Sequence, residues 1–325
     1  MSETPDGGFP ANLPLQPPRL RIAVIGCGRV GAVLGAAFRA AGHEVTATSA
    51  VSDASLQRAA EMLPGVPVLD PVQVARSAEV VLLTVPDDEL ADLARSLAAQ
   101  GAWDGGRLVI HTSGAHGCDV LLPVTHAGGD AVAMHPAMTF SGTARDLPRL
   151  IGIPIAVTAS MGASLIAEAM VLDLGAEPLP LSEHQRPLYH AALTHGANHL
   201  ITLVAQSQQI LRHAGIEAPG PVLDGLLNAA LANALERGDK ALTGPVARGD
   251  VETVRTHLRV LADETPDVRE AYRSMARATA MRAAGRRLTP PESTGPLMEL
   301  LDGAEEQSPP QDQGNARHEN EGDDR

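Results

Sequence analysis

The residues best suited to chemistry in this chain of 325 residues are a glycine trio and a set of uncharged hydrogen-bonding side chains. Gly26-Cys27-Gly28-Arg29-Val30-Gly31 fits the pattern G-x-G-x-x-G. Gly26 suits a tight turn, Gly28 lets the backbone approach a pyrophosphate, and Gly31 lets a helix pack closely on a strand. Amides at the start of a following helix then face the phosphate charge. Cys27, Arg29 and Val30 line the same loop, Cys27 reading as a small filler rather than a nucleophile. Ser113 with Gly114 can offer a hydroxyl and backbone N–H groups to a carboxylate or carbonyl oxygen. His135 titrates near neutrality when free and can hydrogen-bond or protonate such an oxygen. His190, Thr194, Asn198 and Thr202 recur every four residues, an uncharged polar stripe that suits a pocket wall. Arg248 carries a guanidinium able to grip a carboxylate with two prongs. Plainer readings stand beside these: His135 and the stripe as internally satisfied core groups, Arg248 as a surface ion pair.

Such groups need elements to hold them. Arg21–Ile25 is a short apolar run of the kind a strand buried on both faces requires. Ala32–Ala41 follows as an alanine-rich helix with Gly42 at its end, and Glu44–Thr48 is a second strand. This strand–glycine–helix–strand order turns a weak pattern into a dinucleotide-binding signature. A polar helix then runs over Asp53–Leu63 and stops at Pro64-Gly65. Strands are expected at Val66–Leu69, Glu79–Val85, Arg107–His111, Ala131–Met134, Ile151–Thr158 and Ala176–Leu179. Helices are expected from Pro86-Asp87-Asp88 to Ala99 and over Met161–Leu174. The alternation predicts an α/β Rossmann domain with a doubly wound, mainly parallel sheet over residues 19–182. Near Leu181 the strand signals stop, which predicts an all-α C-terminal domain over 183–289 for substrate binding and dimerisation. The Pro-rich head, 1–18, and the acidic tail, 290–325, read as disordered.

In an open parallel sheet, ligands sit beyond the carboxyl ends of the strands. Val85 and Pro86, and Thr112 with Ser113, stand there and would border the ribose and nicotinamide. Asp87 and Asp88 read as plain helix initiation. No acid occupies Thr46-Ala47-Thr48-Ser49-Ala50, where an NAD-specific fold places one for the ribose hydroxyls. Ser49, Ser52 and Arg58 are candidates for a 2′-phosphate instead, which favours NADP(H). Ser52 could equally be a helix cap, and Arg58 part of a solvated face.

Composition narrows the class. Net charge is −14, and eight of those charges fall in residues 290–325, so the body is only mildly acidic and offers nucleic acid no basic face. Two cysteines imply no disulfide framework. Residues 187–211 hold no Asp, Glu, Lys or Arg, yet His190, His195, Asn198, His199 and three glutamines argue against a membrane span. The head lacks the form of a signal peptide. Together these features predict a cytoplasmic protein. Lys240 is the one lysine.

The GxGxxG domain, the Ser-Gly strand end and a helical second domain carrying Asn198 resemble the β-hydroxyacid dehydrogenase superfamily, to which ketopantoate reductase and pyrroline-carboxylate reductase are similar in shape. Tyr189-His190-Ala191-Ala192, Asn198, His135-Pro136 and Thr243-Gly244-Pro245-Val246-Ala247-Arg248-Gly249-Asp250 look like the signatures of one bacterial family. Its members are Rossmann-like proteins with a helical C-terminal domain of unknown function, similar to that of 6-phosphogluconate dehydrogenase. The resemblance covers about residues 20–288. It implies an NADP-dependent oxidoreductase that reduces a small 2-oxo acid, ketopantoate in pantothenate biosynthesis being the leading case, and by analogy a homodimer. The superfamily protonates its product from a helix lysine about one turn before the asparagine; here that position is Thr194. The proton would then come from His190, His135 or a bound water. Otherwise the chemistry is imine reduction of the pyrroline-carboxylate type, or the protein is a non-catalytic NADP(H) sensor or scaffold.

Overall fold

A computed structural model describes residues 19–303. The chain divides into two compact units between Gly196 and Ala197. The first opens with β1 (Arg21–Ile25), α1 (Arg29–Ala40), β2 (Glu44–Ser49), α2 (Asp53–Met62) and α3 (Pro71–Arg76). It continues with β3 (Val80–Leu83), α4 (Asp87–Ala99), β4 (Leu108–His111), α5 (Leu122–His126) and β5 (Asp130–Pro136). β6 (Pro154–Ala159), α6 (Ser164–Asp173), β7 (Glu177–Pro180) and α7 (Arg186–Leu193) complete it. The seven strands form one sheet in the order β2-β1-β3-β4-β5-β6-β7. Side chains alternate across it. Ile22, Val24, Val80, Leu82 and Ile110 join the core on one face, and Ala23, Ile25, Val81, Leu83 and Val109 that on the other. The expected Rossmann fold is therefore present.

Several details differ from expectation. β6 runs antiparallel to β5, while the other neighbouring strands pair in parallel. A parallel return needs a crossover of a dozen or more residues, usually helical, and the 137–153 link holds only a 3₁₀ stretch, Ala144–Leu150. β5 extends beyond the expected end at Met134 through His135-Pro136, because Ala156 and Ile155 of β6 pair with them. Val66–Leu69 makes a single bridge, Val68 to Thr48, and no full strand; Pro67 has no N–H for a ladder.

The second unit contains α8 (His199–His213), α9 (Pro219–Arg237), α10 (Gly244–Arg248), α11 (Val251–Val260), α12 (Pro266–Gly285) and α13 (Pro291–Leu301). Its core joins Val254, Ala276, Ala280, Leu297, Leu300 and Leu301. The last three belong to α13, inside the stretch expected to be disordered. Leu297, Leu300 and Leu301 follow helical spacing, and burying them orders the segment despite its acidic composition. The rest of the expected tail and the head lie outside the described residues. Among the described residues no helix is long and apolar enough to cross a membrane.

Candidate functional site

The glycine turn is braced from two sides. Gly26 takes φ +95°, a conformation that favours glycine. Its N–H donates to Ser49 Oγ at 3.0 Å, and the Cys27 N–H donates to the Ser49 carbonyl at 2.8 Å. Just past β3, Thr84 Oγ1 donates to the Gly26 carbonyl at 2.6 Å. A Cβ on Gly31 would lie 2.2 Å from the Gly26 carbonyl oxygen and 2.3 Å from Thr84 Oγ1, so only glycine fits. A Cβ on Gly28 would meet nothing within 4 Å, which leaves the turn open where a phosphate would approach. Gly28 is the N-cap of α1, with no side-chain cap and no acid in the first turn. Uncapped amides at the positive end of a helix attract an anion. These residues fit a dinucleotide diphosphate. Cys27 is buried, and burial pushes its thiol pKa up, which suits a filler. Val85 packs on the turn, its Cγ1 3.1 Å from the Gly26 Cβ position, and Pro86 begins α4.

Two of the three candidates for a 2′-phosphate are committed elsewhere. The Ser49 hydroxyl is buried against Gly26 and shapes the turn. Ser52 caps α2 by accepting the Ser55 N–H at 3.2 Å. Arg58 remains, and it has a neighbour that sequence reading assigned only to the glycine loop. A Cβ on the buried Gly142 would lie 3.1 Å from Arg29 Cα, Arg29 Cγ and Arg58 Cδ alike. Asp146, fully buried, holds that loop by accepting from the N–H groups of Ser141 and Gly142 and from the Ser141 hydroxyl. Two arginine stems thus converge beside the end of β2.

A second cluster forms at the carboxyl ends of β4 and β5. His111 is buried; its Nε2–H donates to the Gly117 carbonyl at 2.7 Å, and its Nδ1 accepts the Ser113 N–H at 3.2 Å. That pairing requires the neutral ring, and burial pushes its pKa down to about 4. The Ser113 hydroxyl donates to the Asp87 carboxylate at 2.8 Å and accepts the Ala115 and His116 N–H groups. Asp87 therefore does more than initiate α4, and Ser113 works first as the fastener of its own turn. Thr112, half-buried, precedes it. Gly114 forms the floor: a Cβ there would come within 2.8 Å of His190 Cδ2 and 3.0 Å of His135 Nε2. His135 Nδ1 lies 2.9 Å from the Tyr189 hydroxyl, and its ring meets those of Tyr189 and His190 edge-on. Burial first, then the charge of Arg186, lowers the His135 pKa to about 4. At neutral pH His135 can offer a neutral N–H but not the imidazolium that its free pKa suggested.

Arg186 is fully buried at the head of α7. Its Nε donates to Thr158 Oγ1 at 2.8 Å and its terminal nitrogens to the carbonyls of Ser113, Ala133 and Ala156 at 2.8 to 3.0 Å. The fork ties the Ser113 turn to β5 and β6. Sequence reading gave no role to Thr84 or Arg186 and placed Tyr189 only in a family signature. Arg186 stands directly before the charge-free stretch, and Tyr189 is one of two tyrosines, so both left a signal. Thr84 left none beyond a hydroxyl at a strand end.

The sheet unit brings Ser113, Gly114, His135 and His190 together. Asn198 and Arg248 belong to the helical unit, and both are exposed. Asn198 ends a single wider π-type turn, Thr194–Asn198, a winding often found at functional sites. Arg248 ends α10, and Asp250 caps α11 by accepting the Thr253 N–H at 3.1 Å, as expected.

Residues 5–136 match the family model of a Rossmann-like domain, and residues 153–279 match that of a domain of unknown function, DUF2520. The second match begins directly before β6, so it takes in the last two strands of the sheet unit, and it runs through most of α12. No curated protein matches the chain by sequence. Among solved structures, a Bacteroides fragilis protein assigned as an NADP oxidoreductase superposes with a TM-score of 0.69 at 22% identity, over 81% of this chain and 98% of that one. A Thermotoga maritima protein gives 0.60 at 18%, over 82% and 99%. An imine reductase variant from Myxococcus stipitatus, in complex with NAD+, gives 0.55 at 19%, over 81% and 94%. The chain thus shares its fold with NAD(P)-dependent reductases.

Proposed function

We propose that this protein is an NADP(H)-dependent reductase acting on the C=O of a small 2-oxo acid, ketopantoate being the case that the resemblance singles out. One observation carries the reading: a single sheet unit holds both an open, uncapped diphosphate cradle at Gly26–Gly31 and, at the carboxyl ends of its strands, a neutral His135 whose ring meets that of His190. The choice of NADP(H) is supported by Arg29 and Arg58 beside the end of β2, where no acid stands. When bound, the nicotinamide would supply hydride to the substrate carbon. Gly114 and the Ser113 turn would seat the reacting group, and Asn198 and Arg248 are assigned to orient the substrate and hold its carboxylate. A second reading, reduction of a cyclic imine, is favoured by the absence of a lysine at position 194.

The test is a panel of 2-oxo acids and cyclic imines offered with NADPH and followed by NADPH absorbance. Turnover of a 2-oxo acid supports the first reading, and turnover of imines alone moves the protein to the second. NADPH binding without oxidation on any member leaves a sensor or scaffold. The reading also includes a homodimer, supported by α8 and α9, which bury Pro219 and nothing else.

A further inference from the structure

The reductase reading needs a proton donor, and His135, one of the two histidines expected for it, is poorly suited. His135 is held neutral, and its Nδ1 already faces the Tyr189 hydroxyl at 2.9 Å. Tyr189 is half-buried on α7, three residues after the buried Arg186 and next to His190. It is one of two tyrosines in the chain; the other, Tyr272, meets His257 in the helical unit. A phenol at the sheet's carboxyl end, backed by a neutral imidazole and a buried guanidinium, has the parts of a general acid. The guanidinium favours the phenolate that proton donation leaves behind, and an Nδ1–H on His135 can hydrogen-bond that oxygen.

We propose that Tyr189 donates the proton in this reductase, with His135 as the relay that restores it; the inference rests on the reductase reading above. As hydride carries its electron pair to the substrate carbon, the C=O or C=N π pair moves onto the heteroatom. The Tyr189 O–H bond breaks and a heteroatom–H bond forms. The substrate is reduced by two electrons, NADPH is oxidised to NADP+, and Tyr189 is left as phenolate. His135 then passes its Nδ1 proton to the phenolate oxygen while its Nε2 takes one from solvent, and the ring ends neutral. The charged and titratable groups around the phenol are Arg186 and His190 on α7 and His135 on β5, with Asp87 of α4 acting on His135. Burial raises the Tyr189 pKa and Arg186 opposes that rise.

The experiment compares wild type, Tyr189→Phe and the control Tyr272→Phe on the best probe from the 2-oxo acid and imine panel. Loss of a general acid costs on the order of 10²- to 10⁴-fold in kcat. The expectation is a loss of that size in Tyr189→Phe, an unchanged Kd for NADPH by fluorescence titration, and a wild-type rate in Tyr272→Phe. Wild-type kcat should stay level to about pH 9, because a buried phenol remains protonated there, whereas an imidazolium donor would give a fall above about pH 6.5. A third readout needs no cofactor or turnover: the ¹⁵N resonance of His135 Nδ1 should move in Tyr189→Phe and stay in Tyr272→Phe. A Tyr189→Phe rate within about threefold of wild type overturns the proposal while leaving the reductase reading intact. A fall in wild-type kcat above about pH 6.5, or an unmoved His135 resonance, also overturns it. A wild type inert toward every probe removes the reductase reading and the donor role with it.

Discussion

Arg186 meets four neutral oxygens and no carboxylate in a site with no exposed surface. A guanidinium tolerates this because its pKa starts so high that burial lowers it without discharging it, and five fixed donors can satisfy many carbonyls at once. Replacing it with Met strands the Ser113, Ala133 and Ala156 carbonyls, and each unsatisfied buried acceptor costs about 1–3 kcal/mol. Arg186→Met should therefore lower unfolding free energy by at least about 3 kcal/mol in urea titration, with Arg186→Lys falling between. Removing the charge should also let the His135 pKa rise, read by NMR. The same cluster makes stability depend on pH. His111 and His135 titrate near 4 when folded and near 6.5 when unfolded. Between those values the unfolded chain binds more protons, so stability must rise with pH across that window and level off outside it. The two rings together should remove several kcal/mol, on the order of 3 each, between pH 7 and pH 4. Urea midpoints measured across that range check this; a flat profile would contradict neutral burial of the rings.

Where β1 turns into α1, the fold allows no substitute at the third glycine. An Ala at Gly31 would push its methyl into the Gly26 carbonyl and Thr84 Oγ1, and overpacking against backbone costs roughly 1–3 kcal/mol or more. Gly31→Ala should lose measurable NADPH binding in fluorescence titration, whereas Gly28→Ala, with open space at its Cβ, should fold normally and weaken binding alone. Much of this element was legible in the sequence because each glycine answers to a local steric demand. His135-Pro136 and Ser113-Gly114 were legible as strand-end groups for a similar reason. Other features depend on contacts between residues far apart in the chain. Ser49 looked like a phosphate ligand until β1 and β2 came together and Gly26 used its hydroxyl. Tyr189 stood only as part of a family signature, since nothing local announces a partner 54 residues back on β5. The reversal at β6 hung on the lack of a crossover helix, and α13 on three leucines hidden in an acidic context.

At the scale of the whole molecule the unresolved matter is what covers the helical unit. α8 buries no residue and α9 only Pro219, yet α8 lies mostly within the charge-free stretch and α9 is rich in Leu and Ala. Leu200, Ile201 and Leu203 on α8 and Val222, Leu226, Leu231 and Leu235 on α9 are exposed by 38% to 81%. At 1.5 Å per residue these helices are about 22 and 28 Å long. Two such apolar helices side by side approach the roughly 800 Å² per partner of a standard interface. Contiguous apolar surface on that scale is rare on a monomer and marks an association site. A second copy of the chain is the proposed occupant, because it brings the same apolar side chains at equal concentration and can pair across a two-fold axis. Sedimentation at micromolar concentration should give twice the chain mass. Leu226→Glu combined with Leu235→Glu should give a folded monomer by circular dichroism, since both side chains are already in water in the lone chain and charge is costly only where a partner would bury it. NADPH affinity should survive in that monomer, because the glycine turn and its braces at Ser49 and Thr84 lie wholly within the sheet unit. A wild type that sediments as a monomer at high micromolar concentration would remove the dimer and leave that face to a different partner.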